Sequence, residues 1–546
     1  MRYKKYFYFF LLLGLFSKPL SFLAQVPALA PKTTTTTAED TLLTVEILPG
    51  VRKLEFRKLN DSTQLQILAG NVKLKQGTTL FYCDSCVINN SLNVFEAWGN
   101  VHINDADTAN IYSSHLRYII SKKLSYLDGG VRLTDGKGSL TTPDLEYDVN
   151  TKIGIYKHGG KVINKQSVLT SQEGYYYTDL KDIYFKQNVL LKDPSYKIES
   201  DSLLYNTETQ TTRFISMTTI TDSSGRIIKT KEGYYNQQTG KAEFGQRPII
   251  IDGKTTIQAD SFAFDDSSGI SQAKGNVVYI DTAQGITIIS GNMFRNNKKN
   301  SILATQKPLM IIKQDNDSIY ITADTLFSAR LTDLYAKKDS VMKDTLKGTK
   351  VIDAGNKDST NRYFEAYRNV RIFSDSLQGI CDSLFYSFKD SVFRMFDGPV
   401  LWAKESQITG DTVLLFTKNK KADRVKVFEN SLLVTKVGNE TFNQIKATRM
   451  DGFFKDGGID SVRAKGFAEC IYYIQDEDSA YTGINESKSD VLDIYFKEKE
   501  LQKVVFRSAV TGTIWPIRQK SPSEMRLPNF KWLEAKRPKT KFELFE

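Results

Sequence analysis

Three kinds of residue are scarce in this 546-residue chain, and each shortage removes a class of function. There are three histidines, His102, His115 and His158, and none belongs to an H-E-x-x-H or other metal-ligating pattern. There are four cysteines, Cys83, Cys86, Cys381 and Cys470. Cys83 and Cys86 form a C-x-x-C, which can mean redox chemistry or half a metal site. Yet Cys83-Asp84-Ser85 and Cys381-Asp382-Ser383 fill a slot that elsewhere reads Ser200-Asp201-Ser202 or Ala259-Asp260-Ser261, so cysteine serves there as a small strand residue. A Cys83–Cys86 disulfide stays open in an oxidising compartment. Proline is rare at 13, and after the N-terminus no run reaches 18 apolar residues, so no transmembrane helix is expected there. No G-x-S-x-G with triad partners and no phosphate-binding glycine loop occur. No catalytic residue, metal site or cofactor is therefore expected.

What is present is β structure. Tyr (27) and Phe (32) are abundant, in short runs with Val, Ile and Thr, broken by Gly, Asn and Asp. Charged residues make up 25% and hydrophobic residues 40%, the balance of a folding chain. The net charge of +11 suits an anionic partner. Its Lys and Arg are interspersed with 63 Asp and Glu, so no nucleic-acid patch is expected.

The chain opens with Arg2, Lys4 and Lys5, then an apolar stretch from Tyr6 to Phe16 of signal-peptide length. Residues 1–24 read as a signal peptide, with cleavage near Ala24-Gln25 or after Ala30, and residues 25–44 as a polar, disordered leader. An uncleaved anchor is the alternative.

From Val45 a unit recurs. A polar slot is occupied at Asp84, Ser114, Asp144, Glu173, Asp201, Glu232, Asp260, Asn292, Asp324, Asp382 and Asp411, at steps mostly of 28 to 32 residues. A second motif keeps pace, as in Gly70-Asn71-Val72, Gly99-Asn100-Val101, Gly130-Val131, Gln187-Asn188-Val189, Gly275-Asn276-Val277 and Arg368-Asn369-Val370. Such a period marks stacked repeats. Each unit reads as about three short strands, with Gly or Asn before Val giving the bend that reverses the chain between layers. Strand alternation points Val72 and Leu74, Val101 and Ile103, Val131 and Leu133, Val189 and Leu191 one way, and Lys73, His102, Arg132 and Leu190 the other. Stacked carboxylates could hold Ca²⁺ or act as acid and base. The slot, however, accepts Ser114 and Asn292, and Asp before Ser or Thr is turn chemistry at a strand start.

The domains expected are a first array over residues 45–334, a linker or insertion rich in Lys and Asp over 335–360, a more degenerate second array over 361–512, and a basic, proline-containing tail over 513–546. The tail, with Lys536-Arg537-Pro538-Lys539, reads as a partly helical arm or a disordered docking tail.

The Gly-Asn-Val-x-Leu and Ala-Asp-Ser/Thr-Phe/Leu units, in phase behind a signal segment, resemble the OstA family of periplasmic lipopolysaccharide-transport proteins, the LptA-like group, and its Bacteroidetes OstA-like type in particular. The resemblance covers 50–330 well and 360–510 less well. The chain is much longer than a single LptA and lacks the length of an outer-membrane barrel. The resemblance implies an all-β fold in which repeated antiparallel strands form an elongated β-jellyroll (β-taco), here as two consecutive arrays. It implies a non-enzymatic periplasmic carrier holding the acyl chains of lipopolysaccharide (lipid A) in an apolar groove between the inner and outer membranes. Other Lpt components, or further copies end to end, would join through edge strands. The groove lining is then Val72, Leu74, Val101, Ile103, Val131, Leu133, Val189, Leu191, Val277, Tyr279, Val370 and Ile372. Any β-sandwich would show the same alternation around a dry core. Two other readings stay open: a structural or adhesive β-solenoid at the cell surface, and a polysaccharide lyase or hydrolase on a β-helix.

Overall fold

The structure is a computed structural model that describes residues 44–60, 63–106, 108–313, 318–334, 361–419, 421–476, 480–497 and 500–545. The expected signal segment, leader and linker lie outside the described residues, apart from Thr44.

The described residues from Glu46 to Pro516 form a single antiparallel ladder of 42 strands. The first turns of the ladder set its logic. Thr63–Gln76 pairs with Thr79–Asn89, that strand with Val94–Asp105, and that with Ala109–Ile119. Each pairing breaks register once near its middle, at Ala69/Val72, Tyr82/Ser85 and Trp98/Val101. The break is the Gly-Asn motif, whose two residues both have left-handed backbone: φ 76° and 52° at Gly70 and Asn71, 75° and 46° at Gly99 and Asn100. Two unpaired residues in this conformation bend a strand without ending it. The motif therefore does not reverse the chain between layers, as the sequence suggested. It carries one continuous strand around a corner from one layer into the other. Reversals fall at hairpin turns such as Gly77-Thr78. A repeat is thus about two long passes through both layers, not three short strands.

The spacing of the polar slot has a structural cause. Asn100 Nδ2 donates to Asp84 at 2.8 Å, and Asn276 Nδ2 donates to Asp260 at 2.8 Å. Asn369 and Asn430 make the same bond to Asp324 and Asp411. The Asp of one pass holds the corner Asn of the next. At Gly99 a Cβ would also lie 2.5 Å from the Asp84 carboxylate, which would have to shift to admit a side chain; Arg368 and Glu429 hold this place at the corners of Asp324 and Asp411.

Inward residues of both layers meet in one continuous apolar cluster running from Leu68 to Ile494. The ladder does not break at the expected boundary. Ser318–Thr322 and Thr325–Arg330 both pair with Arg362–Phe373. Among the described residues the ladder ends in an outermost strand at each end. Lys53–Asn60 pairs only with the next strand, and Glu500–Arg507 and Thr511–Pro516 pair only with Tyr481–Lys497.

The tail is not loose, and its helical pieces among the described residues are two 3-10 turns, Glu534–Lys536 and Glu543–Phe545. It runs back over the outer side of the layer it has just left. Met525 and Leu527 pack on Ile471, Tyr473 and Ile484, and Phe530 and Trp532 on Leu432, Val434 and Phe442. Three buried glutamines on the covered strands fasten it. Gln444 accepts from Leu527 N at 2.8 Å and donates to Met525 O at 2.9 Å. Gln407 accepts from Leu533 N and donates to Lys531 O, both at 2.7 Å. Gln378 accepts from the Arg537 guanidinium at 2.7 and 2.9 Å. Each amide meets backbone or guanidinium as a neighbouring strand would, so none is left unsatisfied when water is excluded.

Candidate functional site

The two layers meet at the corners and face each other across an interior. Opposite the corners the hairpin ends of the two layers form the rim, where anything entering the interior would pass. The chemistry of that rim changes along the ladder.

Over residues 76–295 the rim is laced shut by polar pairs between the layers. Gln76 donates to Ile120 O at 3.1 Å and accepts from Tyr118 OH at 2.5 Å. Asp105, fully buried, accepts from Thr79 at 3.0 Å, Tyr147 OH at 2.5 Å and Lys152 Nζ at 2.5 Å. Asp135 accepts from Thr207 at 2.8 Å, Asn164 donates to Thr207 O at 2.6 Å, and Lys165 donates to Gln210 at 3.0 Å. Arg295 donates to Asp252 at 2.9 Å. A buried carboxylate is costly unless paired and hydrogen-bonded. Thr79 is its neighbour in the same layer, but Asp105 keeps Tyr147 and Lys152 only while the rim is closed. Burial, with the nearby Asp105 carboxylate, pushes the Tyr118 and Tyr147 phenols up, so both remain donors.

Behind this lacing the interior is filled. The cavity beside Tyr279, Ile288, Met310 and Phe364 is about 10 Å³, barely room for one water. An aromatic cluster follows, with Tyr386 centred 5.2 Å from Phe364, 4.9 Å from Phe388 and 4.3 Å from Phe393.

Beyond that cluster the rim opens. Between residues 403–406, 435–443, 472–475 and 481 on one layer, and 455–460, 496 and 502–504 on the other, lies a cavity of about 970 Å³. That is the upper end of the size at which pockets enclose a drug-sized ligand. Its floor includes Ile459, Tyr472, Phe496 and Val504, half-buried and packed against the continuous core. Lys404, Lys436 and Lys455 stand on its rim with Glu405, Asp456 and Asp460. An apolar floor under a rim of both charges suits an amphipathic molecule, with hydrocarbon inside and a polar head at the lysines.

All twelve residues named from the sequence, Val72, Leu74, Val101, Ile103, Val131, Leu133, Val189, Leu191, Val277, Tyr279, Val370 and Ile372, are at most 5% exposed and belong to the continuous cluster. All twelve come from one layer. The facing layer supplies Leu68, Phe95, Leu116, Tyr147, Phe185 and Phe364, which sequence reasoning missed. Their signal was the alternation just after the polar slot, as in Phe262-Ala263-Phe264. The open rim was missed altogether.

The cysteines are free thiols, all buried. Cys83 and Cys86 flank the corner at Asp84 and Ser85, and burial holds the Cys381 thiol up at about 12. Among the described residues no group of three or more His, Cys, Asp or Glu is placed to hold a metal ion, and no helix is long and apolar enough to cross a membrane.

Residues 46–201 match the family described as OstA-like protein. Among solved structures, the chain aligns with LptH from Pseudomonas aeruginosa, described as the LptA-homologous periplasmic component of the lipopolysaccharide transport device. The identity is 11%, the alignment covers 26% of this chain and 82% of that one, and the TM-score is 0.19. A superposition at that score carries no argument about this chain. No curated protein matches it in sequence.

Proposed function

We propose, with residues 46–201 OstA-like as the premise, that this chain is a non-enzymatic periplasmic carrier of lipopolysaccharide that takes acyl chains between its two layers. The observation that carries this is the open rim, where a cavity of about 970 Å³ with an apolar floor joins the core directly. Acyl chains enter there and lie against Ile459, Tyr472, Phe496 and Val504, with the phosphorylated head near Lys404, Lys436 and Lys455. Each methylene taken out of water is worth about 0.8 kcal/mol, so several chains could not cross an aqueous gap unshielded. Passage toward the other end requires the laced rim to part. Val72, Leu74, Val101, Ile103, Val131, Leu133, Val189, Leu191, Val277, Tyr279, Val370 and Ile372 then exchange contacts with each other for contacts with lipid. The edge strand Glu500–Arg507 would receive a strand of another Lpt component or of a second copy.

The filled interior behind the laced rim favours a second reading, a structural β-solenoid that carries nothing. Native mass spectrometry of protein taken from its own periplasm separates the two. A mass increment of lipopolysaccharide that disappears with Ile459→Asp supports the carrier. A clean apo mass, with no lipid acquired on incubation with lipopolysaccharide, supports the solenoid.

A further inference from the structure

The outer side of the last five strands of one layer is densely basic. Its outward positions carry Arg424, Lys426, Arg449, Arg463, Lys465 and Arg507. Only two carboxylates answer them. Asp493 accepts from Arg463 at 2.5 and 3.1 Å and from Arg507 at 3.0 Å, and Asp451 from Arg449 at 3.2 Å. Strand pairing sets these groups side by side, Lys426 beside Asp451 beside Arg463 beside Asp493, with Arg449 beside Lys465 in the adjoining row. At about 4.8 Å per strand the face is roughly 20 Å wide. A cleft of about 360 Å³ lies among them. The Nε donors of Arg424 and Arg449 are shut off from solvent in it with no acceptor. The same outer side at the other end of the ladder leans acidic, with Glu96, Asp128, Glu146 and Glu173 outward.

Apolar groups stand beside these cations. Phe453 is 45% and Tyr495 38% exposed on the face itself. At the adjoining corner Phe467 is 87% exposed and takes φ 49°, in the place that Asn holds at Gly70-Asn71, Gly99-Asn100 and Gly275-Asn276. Phenylalanine is strained in that conformation, whereas asparagine tolerates it. A strained, exposed aromatic where the fold prefers asparagine points to a use outside the fold. Val510, 53% exposed, stands at the corner formed by the last two strands.

We propose that this face docks on a membrane surface of phosphate-bearing lipids, its arginines and lysines meeting headgroups while Phe467 and Val510 enter the acyl boundary. Basic residues at a membrane surface draw anionic lipid, and apolar side chains beside them add hydrocarbon contact. The aliphatic Val510 fits hydrocarbon better than a stack of nucleotide bases. One end of the ladder would then be anchored, with the open rim near the same end.

Flotation of the full chain with phosphatidylcholine vesicles, with and without about one third phosphatidylglycerol, tests this. Binding is expected only to the anionic vesicles. It should fall at least tenfold in Lys426→Glu/Lys465→Glu and severalfold in Phe467→Asn. The second variant restores the corner motif and should melt no lower than the parent, so lost binding cannot be assigned to unfolding. Equal binding to both vesicles, no binding to either, unchanged binding by the charge-reversed protein, or binding to an anionic oligonucleotide but not to vesicles would each overturn the proposal. None of the substituted residues lines the open rim, so a failure here leaves the carrier reading standing, and failure of lipid loading leaves docking standing.

Discussion

Residues 63–295 and 362–545 use the same corner and the same antiparallel ladder, yet they finish it in opposite ways. The first region closes its rim with buried polar pairs and leaves its outer sides to solvent. The second leaves its rim open and covers one outer side with its own tail. The difference can be seen in single strands. Val72-Lys73-Leu74 alternates buried, exposed, buried, whereas Val400, Leu401 and Trp402 are buried one after another. A strand wet on one side alternates, and a strand covered on both sides need not. One repeat can therefore build either a sealed or an accessible stretch, depending on what meets its rim and its outer face.

Removing the tail, residues 517–546, should break the comparison most severely. It exposes Leu432, Val434, Phe442, Ile471 and Tyr473, strips Gln407 of its two tail bonds and leaves Gln444 only its bond to Phe442 O. At about 2 kcal/mol for each apolar side chain uncovered and 1–3 for each unmet amide, the second region loses on the order of 5 kcal/mol or more. Hydrogen exchange should show protection lost over residues 400–475 and unchanged over residues 63–190. Equal loss in both regions would mean that they do not finish independently.

Asp105→Ala is the matching cut in the laced region. It strands Lys152 and the Tyr147 hydroxyl at once, and breaking a buried pair in this way costs about 3 kcal/mol. The measurement is the midpoint of denaturant unfolding. A drop under about 1 kcal/mol would make the lacing ornamental.

Alkaline pH should act on the same region. Burial raises Tyr156 and Tyr205 to about 12, and Tyr118, Tyr147 and Tyr176 are raised as well. An unfolded tyrosine ionises near 10. The stability these groups contribute is therefore complete below pH 10 and is lost as pH climbs through 12. Exchange at pH 11 should loosen residues 118–205 before residues 421–475.

The smallest effect expected is at the corner. Asp260→Ala removes one exposed hydrogen bond to Asn276 and should cost under about 1 kcal/mol by thermal unfolding. A larger loss would mean that the slot does more than hold the corner.

Much of this architecture was legible in the sequence. The period of about 30 residues and the inward alternation at Val72 and Leu74 follow from side-chain geometry, whereas the slot, read as a strand start, lies inside a continuous strand at Asp84, Asp201 and Asp382. What each repeat does along its length was harder to read. The Gly-Asn corner looks like a chain reversal because both use left-handed backbone, and only pairing on both sides of it tells them apart. Most of the lacing joins residues 42 to 47 apart, as in Tyr147 to Asp105 and Lys152 to Asp105, and Thr207 meets Asp135 across 72, which no local pattern connects. The tail's role was hidden for the same reason, since Gln444 meets Met525 81 residues away. Its trace was present in the doubly apolar run at Val400 and in glutamines set among apolar neighbours.

The central claim is that lipid is taken up at the open rim and not through the laced one. The most direct test places a photo-crosslinking residue in place of Tyr472 in one protein and Lys165 in another, and irradiates each with lipopolysaccharide. The account predicts a lipid adduct at 472 and far less at 165. Adducts of equal strength at both positions, or at 165 alone, would contradict it.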